Sequence, residues 1–437
     1  MTLSFVDPVH TIQPESSRDS DPVPATMRAL VLDGIGFEHL AIKRVPTPQV
    51  GPSQLLARID AAGICTSLIK LIEQGPEHKL MYGWDPAQFP LILGDEGSVT
   101  VVKVGEKLQT TYSRGQRFVI QPAIDHAPIN YRERYRNQGS GVNKVAVGYT
   151  LAGHLAEYIL ITEEVLESGC LLPIPDAGVA FAHAAMSEPI SCALSAQEHH
   201  VHISQANPLV ARQAAVGLKP RGLTVVVGAG AMGRMHVDIA FSYGPRAIVV
   251  ADFANDRLDL VNNLFGARAA NLGIKLRTVN VGSEKINEVI GEMSDWHGAD
   301  DVIIAVGSKK AIESAQDLVG RGAVLNLFGG LKKGEDIVGL DAGIVHYKEI
   351  NVTGSSGGSP WDVAQVLALI AGRKIDAGAH ITRVGDLDHA IELLQLVKSQ
   401  QIDGKAVVYP HRRSHNILQV PSWSPQDEIT YLQAGEA

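Results

Sequence analysis

The chain has 437 residues, 45% of them hydrophobic, 43 glycines, few aromatics and a formal net charge of −9. That length exceeds what a single hydrophobic core fills, so two domains are expected, and the acidic balance lacks the basic footprint that nucleic-acid binding needs. The three cysteines, Cys65, Cys170 and Cys192, include no CxxC pair, which leaves no disulfide framework or four-cysteine zinc site and points to a reducing, cytoplasmic setting.

Residues 1–26 are polar, acidic and proline-bearing, without the basic start and apolar core of a signal peptide, and are expected to form a flexible arm. No apolar run reaches the roughly 18 residues that a membrane-spanning helix requires, so a soluble protein with no membrane partner is expected. From Met27 the runs MRALVLD, QLLARIDAAG and SVTVVKVG, closed by glycine and proline, read as strands. Near Phe181 the pattern changes: FAHAAMSEPISCALSAQEHH reads as a helix. Strands and helices then alternate: LTVVVG, a helix to Tyr243, AIVVAD, a helix to Phe265, RTVNV, a helix to Trp296, DVIIAVG, a helix near Ala311 to Val319, AVLNLFGG and EINVTG. Strands that are apolar throughout bury both faces, so this is an α/β region with a doubly wound parallel sheet. After Ser359 a helix, WDVAQVLALIAG, and the segment to GKAVVYP are expected to return to the first domain. The division predicted is an arm at 1–26, a strand-rich domain at 27–190, a dinucleotide-binding domain at 191–357, and a return with a C-terminal tail at 358–437. In that tail HRRSH and PSWSPQDEIT carry no signal.

The strongest local motif is VVVGAGAMGRMHVDIA, in which an apolar strand runs into Gly228, Gly230 and Gly233 at GxGxxG spacing and then into a helix. Gly228 permits the sharp turn, Gly230 lets the backbone approach a pyrophosphate, and Gly233 allows close helix–strand packing. Ala231 and Met232 open the helix, whose free N–H groups suit the anionic bridge. Asp252, ending the next strand, is placed to accept from ribose hydroxyls and to repel a 2′-phosphate, which favours NAD over NADP. Its alternative is to cap the following helix. Phe253 and Arg257 lie beside it, and the strand ends Ala305, Val306, Gly307 and Phe328, Gly329, Gly330 are expected to wall the nicotinamide pocket.

The succession of GIC, GDEG, SEPISCALSA and the dinucleotide unit resembles the medium-chain, zinc-type alcohol and polyol dehydrogenases from about Met27 to Pro410. Within them GICTSLIKLIEQGPEHK, GQRFVIQPA, SEPISC and VHYKEINVTGSSGGS are similar to the L-sorbose 1-phosphate reductases and their sugar-phosphate relatives. The resemblance implies a GroES-like catalytic domain joined to a Rossmann domain, an NAD-dependent interconversion of a secondary alcohol and a ketone on a polyol, sugar or sugar phosphate, and a homodimer or homotetramer. It also implies a catalytic divalent metal, zinc or another, at Cys65, Asp95, Glu96 and Glu188, with Ser67 relaying the substrate proton. Such an ion polarises the reacting oxygen and leaves one coordination position open for it.

Two positions depart from that pattern. Asp95 stands where the family carries histidine, and Leu68 where it often carries the aspartate that supports that histidine. With no imidazole to orient, the supporting carboxylate has no task. Zinc accepts carboxylate oxygen, while magnesium or manganese would avoid the thiolate. Carboxylates crowded without a cation repel one another, so something positive is expected there: a metal, or a lysine such as Lys70 or Lys79. Taken singly, Cys65 can equally be a small buried hydrophobe, Asp95 and Glu96 turn caps, Glu188 a helix brace, and Ser67 a helix cap.

The stretch from Asp125 to Tyr149 replaces the lobe that binds a structural zinc in many relatives; it contains no cysteine, so no second zinc of that kind is expected. For the substrate, Glu77, His78 and Lys79, the glycine-serine run from Gly354, and the basic, aromatic loop of Tyr131, Arg132, Arg134 and Arg136 are candidates for phosphate or acid recognition. A hinge and a solvated surface are their plainer readings. Two other activities fit the same fold: a metal-free reductase resembling quinone or enone reductases, and a dinucleotide-binding protein without catalysis.

Overall fold

In the computed structural model, which describes residues 22–331 and 334–434, the chain divides at Glu188 and again at Gly358. One unit holds residues 22–188 and 359–434, and the other Pro189–Gly358. Most of the expected N-terminal arm, residues 1–21, lies outside the described residues.

The first unit is built from strands with one or both faces apolar. Thr26–Leu32 pairs antiparallel with Leu40–Pro46 and with Leu91–Ile92. The larger sheet centres on Leu55–Ile64, which pairs antiparallel with Gly97–Val104, Tyr158–Ile161 and Lys405–Tyr409. The last of these pairings sets Ala406 opposite Ile64 and Val407 opposite Gly63, so the chain's late return supplies a central strand. Leu55, Ile59, Val99, Val101, Ala406 and Val408 are buried in one core with Leu68, Leu71 and Ile72 of the helix Ser67–Gln74.

The tail is structured. Ser424 and Asp427 form a reciprocal cap on the helix Pro425–Gln433, satisfying N–H groups that a helix start otherwise leaves bare. Glu428 of that helix accepts from the Phe181 and Ala182 amides at 2.6 and 2.8 Å and from the Tyr409 hydroxyl at 2.8 Å. Trp423 is buried, and its indole N–H donates to Tyr409 Oη at 2.7 Å.

The second unit carries six parallel strands in the order Lys275–Asn280, Ala247–Asp252, Leu223–Val227, Ala299–Ile304, Val319–Leu327, Asn351–Gly354. Counted along this unit's alternating strands and helices the order is 3-2-1-4-5-6, the dinucleotide-binding arrangement, with its ligand edge at the strands' carboxyl ends. Val225 and Val249 pack into one apolar cluster and Val226, Ile248 and Val250 into the other. Neighbouring residues of a strand point to opposite faces, so both faces of the sheet are covered.

Several helix limits differ from those read in the sequence. The segment after Phe181 is two helices, Phe181–Ala185 and Ser187–Glu198. The helix expected to stop at Phe265 continues to Asn271, and the one expected to reach Val319 ends at Ala315, because Val319 opens a strand. A helix Ala342–Tyr347 and an antiparallel hairpin of Val201–Ser204 with Gln213–Val216 were not foreseen. Among the described residues no helix is long and apolar enough to cross a membrane.

Candidate active site

In the first unit, Cys65 follows directly on the strand Leu55–Ile64, and Ser67 opens the next helix. The helix cap is Thr66, not Ser67; the Ser67 hydroxyl instead donates to Asp95 Oδ2 at 2.5 Å. Leu68 is fully buried in the core, which accounts for an apolar residue where relatives of this pattern carry an acid.

Asp95 and Glu96 sit on a turn shaped by glycine. Gly94 has φ +111°, and a Cβ there would lie 2.6 Å from the Leu155 amide nitrogen. A Cβ on Gly63 would fall 2.0 Å from Glu96 Oε2, so the carboxylate reaches its place only because that strand position is bare. Cys65 Sγ and one oxygen each of Asp95 and Glu96 lie within 4.8 Å of one another. Glu188, in the first turn of the helix Ser187–Glu198, is outside that trio, though its charge is felt at Cys65.

Burial and mutual repulsion dominate the electrostatics. Burial, then the Asp95 and Glu96 charges, pushes the Cys65 thiol well up, and burial followed by the Glu96 charge raises Asp95 to about 6. The counter-charge is Lys405, whose ammonium donates to Glu96 Oε1 at 2.5 Å. Burial opposes that ammonium, but Glu96, Cys65 and Asp95 together hold its proton more firmly than usual. The expected lysine therefore exists but is neither Lys70 nor Lys79. Those two charges act on His78, where burial first and then both lysines lower its pKa. Asp95 Oδ1 and Glu96 Oε2 are buried and accept no hydrogen bond. His78 stacks on Tyr149, with ring centroids 5.3 Å apart.

The basic, aromatic loop is stacked within itself. The Arg134 guanidinium lies over Tyr131 at 4.2 Å, Trp84 at 5.1 Å and Phe89 at 5.4 Å, and Arg132 Nε donates to Gln138 O at 3.3 Å. Glu164 accepts from the Ile129 and Asn130 amides at 2.8 and 2.7 Å. Cation–π stacking and one carboxylate thus hold together a lobe that has no cysteine.

In the second unit, Gly228 has φ +108°, and a Cβ there would meet Val306 at 2.4 Å; one on Gly233 would stand 1.8 Å from Gly228 O. Gly230 faces open space and precedes the helix Ala231–Ala240, which begins with Ala231 and Met232. Asp252 accepts from the Ala229 amide at 2.8 Å and the Ala254 amide at 3.0 Å, bridging the glycine turn to its own. The helix after it is capped at Ala254 without a side-chain bond, so Asp252 is not its N-cap. Phe253 is largely exposed, and Arg257 is half-buried near the start of that helix. Ala305, Val306 and Gly307 meet Phe328, Gly329 and Gly330 so closely that a Cβ on Gly329 would sit 2.3 Å from the Val306 carbonyl, and one on Gly307 2.4 Å from Gly330 O. Arg234, unremarked in the sequence, is buried and donates to Ala229 O at 2.9 Å. The run from Gly354 ends in Ser359, which with Asp362 caps the helix Pro360–Ala371.

Residues 51–176 match the alcohol dehydrogenase GroES-like domain and residues 231–372 the zinc-binding dehydrogenase domain. Mannitol-1-phosphate 5-dehydrogenase of Aliivibrio fischeri is 30% identical over 384 residues, covering 86% of this chain and 85% of that protein. The chain belongs to the medium-chain, zinc-type alcohol and polyol dehydrogenases. This dehydrogenase, an oxidoreductase acting on CH–OH groups, is also 26% identical to L-sorbose 1-phosphate reductase of Klebsiella pneumoniae, over 82% of either chain. Its fold is shared with 2R,3R-butanediol dehydrogenase of Bacillus subtilis at a TM-score of 0.69, with 20% identity over 88% of this chain and 100% of that one.

Proposed function

We propose that this enzyme uses NAD to interconvert a secondary alcohol and a ketone on a polyol or sugar phosphate, with a divalent ion held by Cys65, Asp95 and Glu96 and with the Glu188 charge acting on Cys65. The observation that carries this reading is the meeting of Cys65, Asp95 and Glu96 within 4.8 Å, with Ser67 bonded to Asp95. The donor set suits a borderline cation: one sulfur, and buried carboxylate oxygens of which Asp95 Oδ1 and Glu96 Oε2 accept nothing else. Lys405 supplies one positive charge to a cluster of three carboxylates and a thiol, which leaves it attractive to a dication. When bound, the ion would supply Lewis acidity at the reacting oxygen, and NAD the hydride acceptor.

The chain's own groups manage the proton and the orientation. Ser67 Oγ, which donates to Asp95 Oδ2, is placed to take the substrate hydroxyl proton while passing its own along that bond. Lys405 holds Glu96 in place through its hydrogen bond to Oε1. Asp252 favours ribose hydroxyls and disfavours a 2′-phosphate. The substrate class follows the mannitol 1-phosphate and L-sorbose 1-phosphate enzymes that the chain resembles.

Purified enzyme should reduce NAD on at least one member of a panel of mannitol 1-phosphate, sorbitol 6-phosphate and free polyols. Cys65→Ala should lower kcat/KM by at least ~10³-fold, as expected when several kcal/mol of Lewis-acid stabilisation are lost. No turnover across the panel with either dinucleotide sinks the activity, and active enzyme free of metal by elemental analysis sinks the role of the ion.

A further inference from the structure

The hairpin ahead of the glycine loop carries a polar cluster apart from the dehydrogenase site. His202 lies in the strand Val201–Ser204 and His200 directly precedes it. His200 Nδ1 lies 2.6 Å and His202 Nε2 2.8 Å from the same atom, Asp301 Oδ1, on the strand Ala299–Ile304. His200 and Asp301 are fully buried and His202 is 9% exposed. The other Asp301 oxygen accepts from the Lys219 amide at 2.9 Å. One oxygen and two imidazole nitrogens therefore converge within 4.8 Å of one another, beside Val302 and Ile303 in the apolar sheet.

We propose that His200, His202 and Asp301 form a second metal site, which takes a zinc-class dication and clips the hairpin to the parallel sheet. Zinc bonds imidazole nitrogen and carboxylate oxygen at about 2.0–2.2 Å in a tetrahedron, which sets donors roughly 3.3 Å apart. The two contacts to Asp301 Oδ1, at 2.6 and 2.8 Å, need to open by only about 0.5–0.7 Å, a rotation of side chains, to admit it. Two imidazoles select zinc, cobalt or nickel over magnesium or calcium. Lys219 fixes the carboxylate as an outer partner of a metal ligand does. Solvent reaches the site at His202, whose side chain is 11% exposed, so an ion has a route in and a water a fourth position. The clip has a structural purpose: Gln213–Val216 is exposed along its whole length, and outside this cluster the hairpin is tied to neighbouring chain by bonds such as Asn351 Nδ2 to Val201 O at 2.8 Å.

The test is chelator-stripped, full-length enzyme titrated with Co²⁺, read by visible absorption, and with Zn²⁺, read by Tm and elemental analysis. Two equivalents per chain are expected, only one of them giving a thiolate-to-cobalt charge-transfer band. His202→Gln should lose one equivalent and most of the zinc-induced rise in Tm while keeping that band; Cys65→Ser should do the reverse. One equivalent without the thiolate band, abolished by His202→Gln, would support the clip and defeat the ion at Cys65. Wild-type enzyme that binds a single equivalent with the band, or two that both vanish in Cys65→Ser, overturns the clip even if His202→Gln does not fold. So does a zinc-induced Tm rise that His202→Gln leaves unchanged.

Discussion

The glycine loop of one unit and the carboxylate turn of the other both present polar groups at a strand end, yet they are made of different materials. The loop is backbone: a positive φ at Gly228, a Gly233 that leaves no room for a methyl group, and amides gathered by Asp252. Its fixed dipoles carry no net charge of their own and stand ready for an anion. The turn is side chain: buried carboxylates and an ammonium, with a partly buried thiol, drawn together from widely separated stretches. Charges out of water are costly to hold and sensitive to their partners, so the turn's balance depends on pH and on what binds. A site made of amides is fixed by folding alone, whereas one made of buried charges is completed by its ligand.

The largest effect expected from that contrast falls on Lys405. Lys405→Met would leave Glu96, fully buried, without its ammonium, and breaking a buried pair costs about 3–5 kcal/mol. Denaturant unfolding of metal-free protein measures it. The double variant Lys405→Met/Glu96→Gln should recover most of the loss, since it leaves no orphaned charge. A single variant that costs under ~1 kcal/mol would show that the turn is not held electrostatically, and the contrast with the glycine loop would fail.

A somewhat smaller effect comes from pH. His154 packs against the same turn: a Cβ on Gly97 would fall 2.4 Å from its ring, and its Nδ1 lies 3.2 Å from Gly94 O. Burial lowers its pKa to about 4, whereas in the unfolded chain it titrates near 6.5. Below pH 6.5 the unfolded chain therefore takes up a proton that the folded one refuses, so stability present above 6.5 drains away as pH falls toward 4. The loss approaches roughly 3 kcal/mol. Unfolding free energies measured between pH 7 and 4.5 should fall less steeply in His154→Gln than in wild type; equal slopes would assign the acid limb to other groups.

What could be read from the sequence follows how locally each feature is determined. The glycine loop and Asp252 span 25 consecutive positions, Gly228 to Asp252, and their geometry is dictated by glycine sterics, so motif and structure coincide. Cys65, Asp95 and Glu96 came through resemblance, not through any spacing that periodicity could supply. Lys405 was invisible because its contact with Glu96 spans 309 positions and forms only when the returning strand pairs with Leu55–Ile64. The ordered tail, by contrast, was legible: Ser-Pro-Gln-Asp at 424–427 and Ser-Pro-Trp-Asp at 359–362 are both helix-start patterns. Reading the former as uninformative neglected that chemistry. His200, His202 and Asp301 sit between these cases: the histidine spacing is visible, but the aspartate lies 101 positions from His200.

The smallest effect, and the one that tests the loop side of the contrast, is at Asp252. Its two oxygens accept from the Ala229 and Ala254 amides, so the carboxylate both braces the turn and sets the charge that a dinucleotide meets. Asp252→Asn separates these roles, because the amide keeps one acceptor oxygen for the turn while losing the negative charge. The ratio of kcat/KM with NADP to that with NAD should rise about tenfold, the order of one charged hydrogen bond lost and one repulsion relieved, while Tm moves little. Asp252→Ala removes the brace as well, so it should lower Tm and weaken both dinucleotides. If Asn and Ala behave alike, the turn's geometry rather than its charge selects the cofactor, and the glycine loop is a site of backbone alone.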